Sequence, residues 1–207
     1  VVGESNRIYC DCYNCNPGLE MINDTDSFSS EAISGLQGTC VVVGDKSISH
    51  RSLILSSIAE GTTRISGMLK STDVQSTLNA MRALGVRISI LEDDVVEVIG
   101  VGMHGLQEPQ KPLDLGNSGT GVRLLMGIVA GQKINATFTG DESLSSRPMR
   151  RITEPLRQMG IQVSYSGDGL LPVTMTGRSS PLPISYNSPV ASAQIKSAIL
   201  LAGLNAR

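Results

Sequence analysis

The stretch Gly44-Asp45-Lys46-Ser47-Ile48-Ser49-His50-Arg51-Ser52 sets an ammonium, several hydroxyls and a guanidinium between the β-branched run Val41 to Val43 and the apolar run Leu53 to Ala59. A strand is expected to deliver it and a helix to carry it away, which puts its polar side chains in the first helical turns. A helix start leaves backbone N–H groups unpaired and carries positive partial charge, so a phosphate or carboxylate is favoured there before Lys46 and Arg51 add formal charge. Taken alone, the same residues also describe a solvated helix start with a Ser cap.

Three further clusters have the same character. Asn117-Ser118-Gly119-Thr120-Gly121-Val122-Arg123 follows the strand-like Leu113-Asp114-Leu115, and its small residues let backbone N–H groups come close to an anion. It matches neither a P-loop nor a usable dinucleotide fingerprint, and a tight turn would explain it equally well. Gly140-Asp141-Glu142-Ser143-Leu144-Ser145-Ser146-Arg147-Pro148-Met149 follows a strand over Ala136 to Thr139, with Pro148 suited to a first helical position and Arg147 at the helix entrance. Its guanidinium fork suits phosphate oxygens, or pairs on the surface with Asp141 or Glu142. Ser188 to Ser197 opens another helix with Ser192, Gln194 and Lys196 at short spacing, where a capped helix with a polar face is the alternative. His50 and His104 are not at metal-ligand spacing, and Cys10, Cys12 and Cys15 do not supply the two C-x2-C pairs of a zinc ribbon, so no metal is expected.

The elements that must position these clusters form a repeat. Thr39 to Val43 reads as a strand, Ser47 to Ala59 as a helix stopped by Gly61, and Thr62 to Ile65 as a strand. Asp73 then caps a helix to Leu84, Gly85 stops it, and Val86 to Ile90 and Val95 to Ile99 make a hairpin around Glu92-Asp93-Asp94. Met81-Arg82-Ala83-Leu84-Gly85-Val86-Arg87-Ile88 lines up with Leu156-Arg157-Gln158-Met159-Gly160-Ile161-Gln162-Val163, each position 75 later, and Val95 to Gly100 matches Pro172 to Gly177. Each unit therefore reads β-α-β-α-β-β in an α/β (α+β) fold. The first helix recurs three times, ending at Gly61, Gly131 and Gly203, so two units are expected complete and a third truncated. Because all four polar clusters fall at strand-to-helix junctions of related units, the repeat would bring them together in one site.

Composition narrows the ligand. The chain has 207 residues, 40% hydrophobic, enough for a core. Aromatics are only 3% and the formal net charge is −2, so neither a stacking platform nor a basic field for nucleic acid is present. No apolar run is long enough for a membrane span and no secretory signal is visible, which reads as a cytoplasmic protein without nucleic-acid or membrane partners. Residues 1–33 read as an irregular segment outside the 34–207 domain, and Val1 in place of Met suggests a processed product or a fragment.

With these motifs in their order, the chain resembles the enolpyruvyl transferase family, in the branch that acts on shikimate 3-phosphate. Gly44 to Arg51, Gly116 to Thr120, Gly140 to Leu144 with Arg147-Pro148-Met149, and Ser192 to Ala198 look like its successive signatures, from about Ser34 to Arg207. The resemblance implies the inverse α/β fold and transfer of the carboxyvinyl group of phosphoenolpyruvate to the 5-hydroxyl of shikimate 3-phosphate, without a cofactor. It places Lys46 against both substrates, and Ser47, Arg51, Ser192 and Gln194 on shikimate 3-phosphate. Asn117 and Gly119 would line the phosphoenolpyruvate pocket, with Arg147 on its phosphate and glyphosate as an inhibitor. The proton-moving carboxylates, and a monomeric completed enzyme, are expected from sequence beyond Arg207, so no catalytic residue is assigned within the chain. Val43 stands where the family usually has Pro, Ser118 where Ala is common, and Val1 to about Phe28 matches nothing in it. The sister branch acting on UDP-N-acetylglucosamine has Lys-Asn in place of Lys46-Ser47. A non-catalytic anion-binding module is the alternative of another class.

Overall fold

The computed structural model describes residues 42–207. Helix α1 (Lys46–Ile58) leads into strand β1 (Glu60–Ile65), helix α2 (Thr72–Ala83) and the hairpin of β2 (Arg87–Ile90) and β3 (Val96–Val101). Strand β4 (Leu113–Asp114) then leads into helix α3 (Gly119–Ala130), strand β5 (Asn135–Thr139), the short helix α4 (Glu142–Ser145), helix α5 (Arg150–Gln158) and the hairpin of β6 (Gln162–Ser166) and β7 (Leu170–Thr176). Helix α6 (Ala193–Gly203) follows an irregular stretch. The cysteines and the boundary at residue 33 lie outside the described residues, as does most of the strand expected over Thr39 to Val43.

The repeat is visible in the bonds. One sheet has the order β1-β3-β2 and the other β4-β5-β7-β6, so β5, β7 and β6 repeat the arrangement of β1, β3 and β2, all antiparallel. Strand β4 adds a parallel edge to β5. Gly85 and Gly160 both stop their helices in the left-handed region, at φ 91° and 84°. Behind them Val86 N–H donates to Met81 O and Ile161 N–H to Leu156 O, each at 3.1 Å. Arg82 donates to Ile88 O and Arg157 to Val163 O, bonds that also sit 75 residues apart. Gly100, the next-to-last residue of β3, and Gly177, just past the end of β7, hold matched places, and a Cβ on either would lie 2.1 Å from a helix-end carbonyl, Ala59 O or Val129 O. Only a side chain reduced to hydrogen lets each hairpin cross its helix.

Helix α3 is apolar almost all round and buried along nearly its whole length, from Val122 and Leu124 to Val129 and Ala130. It packs against α6, where a Cβ on Gly127 would be 2.5 Å from Ala198 O. Helix α1 lays Leu53, Ile54 and Ile58 into the same core.

Three local readings are corrected. Gly61 does not stop α1: the helix ends at Ile58 with Ala59 extended, and Gly61, at φ 88°, is already in β1. Ser71 caps α2, its Oγ accepting from Val74 N–H, so Asp73 sits inside the first turn with its carboxylate free for another partner. Pro148 does not begin a helix: α5 begins at Arg150, and Asp141 starts the unanticipated α4 by accepting from Leu144 N–H at 2.7 Å.

Candidate functional site

Each cluster is presented by a capped helix start. Asp45 Oδ1 accepts from Ile48 N–H at 2.7 Å and fixes the first turn of α1, which leaves Lys46 and Ser47 exposed and Arg51 half-buried. Gly44 is required just before it, because a Cβ there would sit 2.0 Å from Gly67 O. Ser118, the departure from the family's usual Ala, caps α3 through its buried Oγ and Gly121 N–H. Ser192 caps α6 through Ile195 N–H. Capping stabilises such a start by about 1 kcal/mol and holds its remaining N–H groups in place.

The starts of α1, α3 and α6 are tied to one another by side chains. Arg51 Nη2 donates to Ser197 Oγ at 2.8 Å, joining α1 to α6. Gln194 Nε2 donates to Thr120 Oγ1 at 3.0 Å, joining α6 to α3. Lys46 Nζ donates to Asp73 Oδ2 at 2.9 Å, an ion pair not anticipated from the sequence. Asn117 links the two loops of the second unit: its Nδ2 donates to Asp141 Oδ2 at 2.8 Å and its Oδ1 accepts from Arg147 Nη2 at 2.5 Å. Arg147 therefore pairs with Asn117 and Ser143, not with Asp141 or Glu142. Of the expected site residues, Arg51 and Gln194 are joined across helices and Asn117 to Arg147, whereas Ser47 and Ser192 bond within their own helix starts.

Sequence reading placed Arg123 in a polar cluster but assigned it no role. It reaches back one turn to donate to Gly119 O at 2.8 Å. A Cβ on Gly119 would lie 2.8 Å from Arg123 Nη1 and 3.1 Å from Arg147 Nη1, so both guanidiniums converge on that glycine. Burial lowers the Arg123 pKa from its ordinary value, and the like charges of Arg147 and Arg151 lower it further. None of these three arginines has an acidic partner within salt-bridge distance among the described residues. Positive groups crowded together without a counter-charge are stabilised by an anion. Asp141 is held below the usual carboxylate range by Leu144 N–H first and then by the Asn117 amide, with a smaller contribution from the Arg147 charge.

His50 lies one turn beyond Lys46 on the face of α1 that meets α2, fully buried, with Nδ1 2.8 Å from Thr77 Oγ1. Burial pushes its pKa down from 6.5 to about 4, against a smaller upward pull from Asp73. The unfolded chain thus binds this proton first, and the stability His50 contributes when neutral is lost as pH falls from about 6.5 to about 4. We expect urea unfolding at pH 7 and pH 4.5 to show about 2–3 kcal/mol more acid loss in the wild type than in His50→Leu. Parallel pH profiles would contradict this.

Among the described residues no group of His, Cys, Asp and Glu is arranged to hold a metal ion, and no helix is long and apolar enough to cross a membrane.

Comparison with known proteins gives a concordant result. Residues 30–207 match the model of the family described as EPSP synthase (3-phosphoshikimate 1-carboxyvinyltransferase). A 3-phosphoshikimate 1-carboxyvinyltransferase of Rhodopseudomonas palustris strain HaA2 is 59% identical over 174 residues, which is 84% of this chain and 39% of that protein. The same enzyme of Bradyrhizobium diazoefficiens is 51% identical over 205 residues, covering 94% of this chain and 44% of the relative. The structure of EPSP synthase from Acinetobacter baumannii superposes with a TM-score of 0.78 at 50% identity, covering 82% of this chain and 38% of that one. The chain spans about two fifths of the length of the curated relatives it matches.

Proposed function

The chain belongs to the EPSP synthase family, and from that premise we propose that it holds the substrates for carboxyvinyl transfer from phosphoenolpyruvate to the 5-hydroxyl of shikimate 3-phosphate. Lys46, Ser47, Arg51, Ser192 and Gln194 bind shikimate 3-phosphate, and Asn117, Gly119 and Arg147 line the phosphoenolpyruvate pocket, with Lys46 between the two. The observation that carries this reading is the convergence of Arg123 and Arg147 on Gly119, beside three helix starts already bonded to one another. Charged hydrogen bonds contribute about 1.5–3 kcal/mol each, so several are needed to take two multiply charged ligands out of water.

Transfer also needs a proton at the methylene carbon of phosphoenolpyruvate and a base for the attacking hydroxyl. Two acids near this site are engaged: Asp73 by Lys46, and Asp141 by Asn117 and Leu144 N–H. His50 is buried away from the surface. The 207-residue chain on its own therefore binds without turnover, and the acid and base come from sequence outside it. The same proposal includes a cytoplasmic location, a monomeric completed enzyme and no cofactor.

Calorimetry on the chain tests the reading. Heat with shikimate 3-phosphate and none with UDP-N-acetylglucosamine, together with no phosphate release from both substrates, is the expected result. Heat with the nucleotide sugar alone would favour the sister branch, and no heat with either would leave a non-catalytic module.

Gly119 gives a sharper test of the second pocket. Its missing side chain leaves the space into which both guanidiniums reach, and an added methyl would push Arg123 and Arg147 apart. In the completed enzyme, Gly119→Ala is expected to raise the half-inhibitory glyphosate concentration about tenfold, equivalent to about 1.4 kcal/mol, with little change in affinity for shikimate 3-phosphate. An unchanged inhibition constant would contradict the placement of Gly119.

A further inference from the structure

Helices α1 and α2 are joined by two rungs one helical turn apart. In the outer rung Lys46 Nζ donates to Asp73 Oδ2, and in the inner rung His50 Nδ1 meets Thr77 Oγ1; in both, the partners are 27 residues apart in sequence. The outer rung is open to water, with the Lys46 side chain 51% exposed, and an exposed ion pair by itself does little to hold a long, flexible ammonium. The inner rung is different in kind. His50 and Thr77 are both fully buried, so sliding one helix along the other would strand an imidazole nitrogen where no water can replace the lost bond and leave the Thr77 hydroxyl only its long 3.5 Å bond to Asp73 O. The Thr77 hydroxyl is also backed by α3, because a Cβ on Gly121 would come within 2.6 Å of it.

The other ring nitrogen, His50 Nε2, is buried and has no partner among the described residues. Whatever polar role this residue has is therefore carried by Nδ1. The charged groups acting on the ring are Asp73 from α2 and Lys46 and Arg51 from α1.

We propose that His50, acting through Thr77, is a positioning residue: it locks the register of α1 on α2 that keeps Asp73 opposite Lys46 and so holds the Lys46 ammonium at the mouth of the site. The functional consequence rests on Lys46 binding substrate as read above, while the register itself does not depend on that reading. Asn places an amide atom where Nδ1 lies, and Gln reaches only to the position of Nε2, so the two substitutions separate a specific bond from general polarity.

The test uses the full 207-residue chain with His50→Asn, His50→Gln, His50→Leu and Thr77→Val. Nitrogen relaxation of the lysine ammonium groups in the absence of ligand reads how firmly Lys46 is held, with exposed Lys133 as the internal reference, and calorimetry with shikimate 3-phosphate reads the consequence. His50→Asn should keep Lys46 as ordered as in the wild type and bind within about twofold, whereas Gln, Leu and Thr77→Val should bring Lys46 to the mobility of Lys133 and weaken binding about tenfold. In a Lys46→Met background the same substitutions should cost no further affinity, a result that a general loosening of the fold would not give. If His50→Leu does not fold, Thr77→Val removes the same bond with almost no change of shape. The proposal is overturned if Lys46 stays ordered without the bond, or if Gln serves as well as Asn. Loss of Lys46 order without any wild-type heat from shikimate 3-phosphate would support the register role and overturn the functional reading instead.

Discussion

Replacing Arg51 with methionine is expected to weaken shikimate 3-phosphate binding about a hundredfold, equivalent to about 2.7 kcal/mol, while leaving the chain folded. The guanidinium has five N–H donors, and the structure uses two of them, one to Ser47 O at 3.1 Å and one to Ser197 Oγ at 2.8 Å. The remaining donors are oriented by those bonds, and no acidic partner within salt-bridge distance neutralises them among the described residues. Methionine keeps the apolar stem of a half-buried residue, so the loss is one of charge and donors. Lysine in the same place would keep the charge but not the fork, and should recover only part of the affinity. A change of less than about threefold on Arg51→Met would mean that the anion does not sit between α1 and α6.

Gly127→Ala should have the largest effect on stability. A Cβ at this position would be 2.5 Å from Ala198 O and 2.7 Å from Ala198 Cα, both backbone atoms that cannot turn aside. Helix α6 would have to move off α3, at a cost of about 2–4 kcal/mol, or a fall in melting temperature of about 5–12 °C for a domain of this size. The displacement also reaches the site, because Ser197 and Gln194 are the α6 ends of the bonds to Arg51 and Thr120. Affinity for shikimate 3-phosphate should therefore fall even at temperatures where the variant remains folded. Thermal unfolding and calorimetry on the same sample check both halves, and an unchanged melting temperature would contradict the close approach of the two helices.

How much of this was legible in the sequence depended on the range of the interaction. The helix stops at Gly85 and Gly160 were readable because the cap closes within a few residues, and the structure repeats the same bonds at both. Lys46, Arg51, Asn117, Arg147 and Gln194 drew attention because each belongs to a polar cluster near a helix start, and only the family resemblance gave them roles, although Arg147 stands between two helices and Gln194 follows an irregular stretch. Their partners were not readable. Arg51 meets Ser197 across 146 residues and Gln194 meets Thr120 across 74, and nothing in a serine or threonine says which distant side chain it will face. Arg123 was part of a recognised cluster but received no role for another reason: one turn inside α3, it reads as an ordinary helical arginine until its neighbours place Arg147 beside it. The misreadings at Gly61 and Asp73 share a cause, since a glycine after a helix and an aspartate before one each fit a cap, and packing chose Ala59 and Ser71 instead.

The most direct test of the converging site is a titration of the labelled 207-residue chain with shikimate 3-phosphate, followed by backbone amide resonances. The account predicts that the shifts concentrate at 46–51, at 117–123 and at 192–197, the three helix starts that Arg51 and Gln194 tie together. Addition of phosphoenolpyruvate to that complex should then move the amides around Gly119 and Arg147. Shifts spread over the sheet surfaces, or confined to one helix start while the other two stay silent, would contradict it.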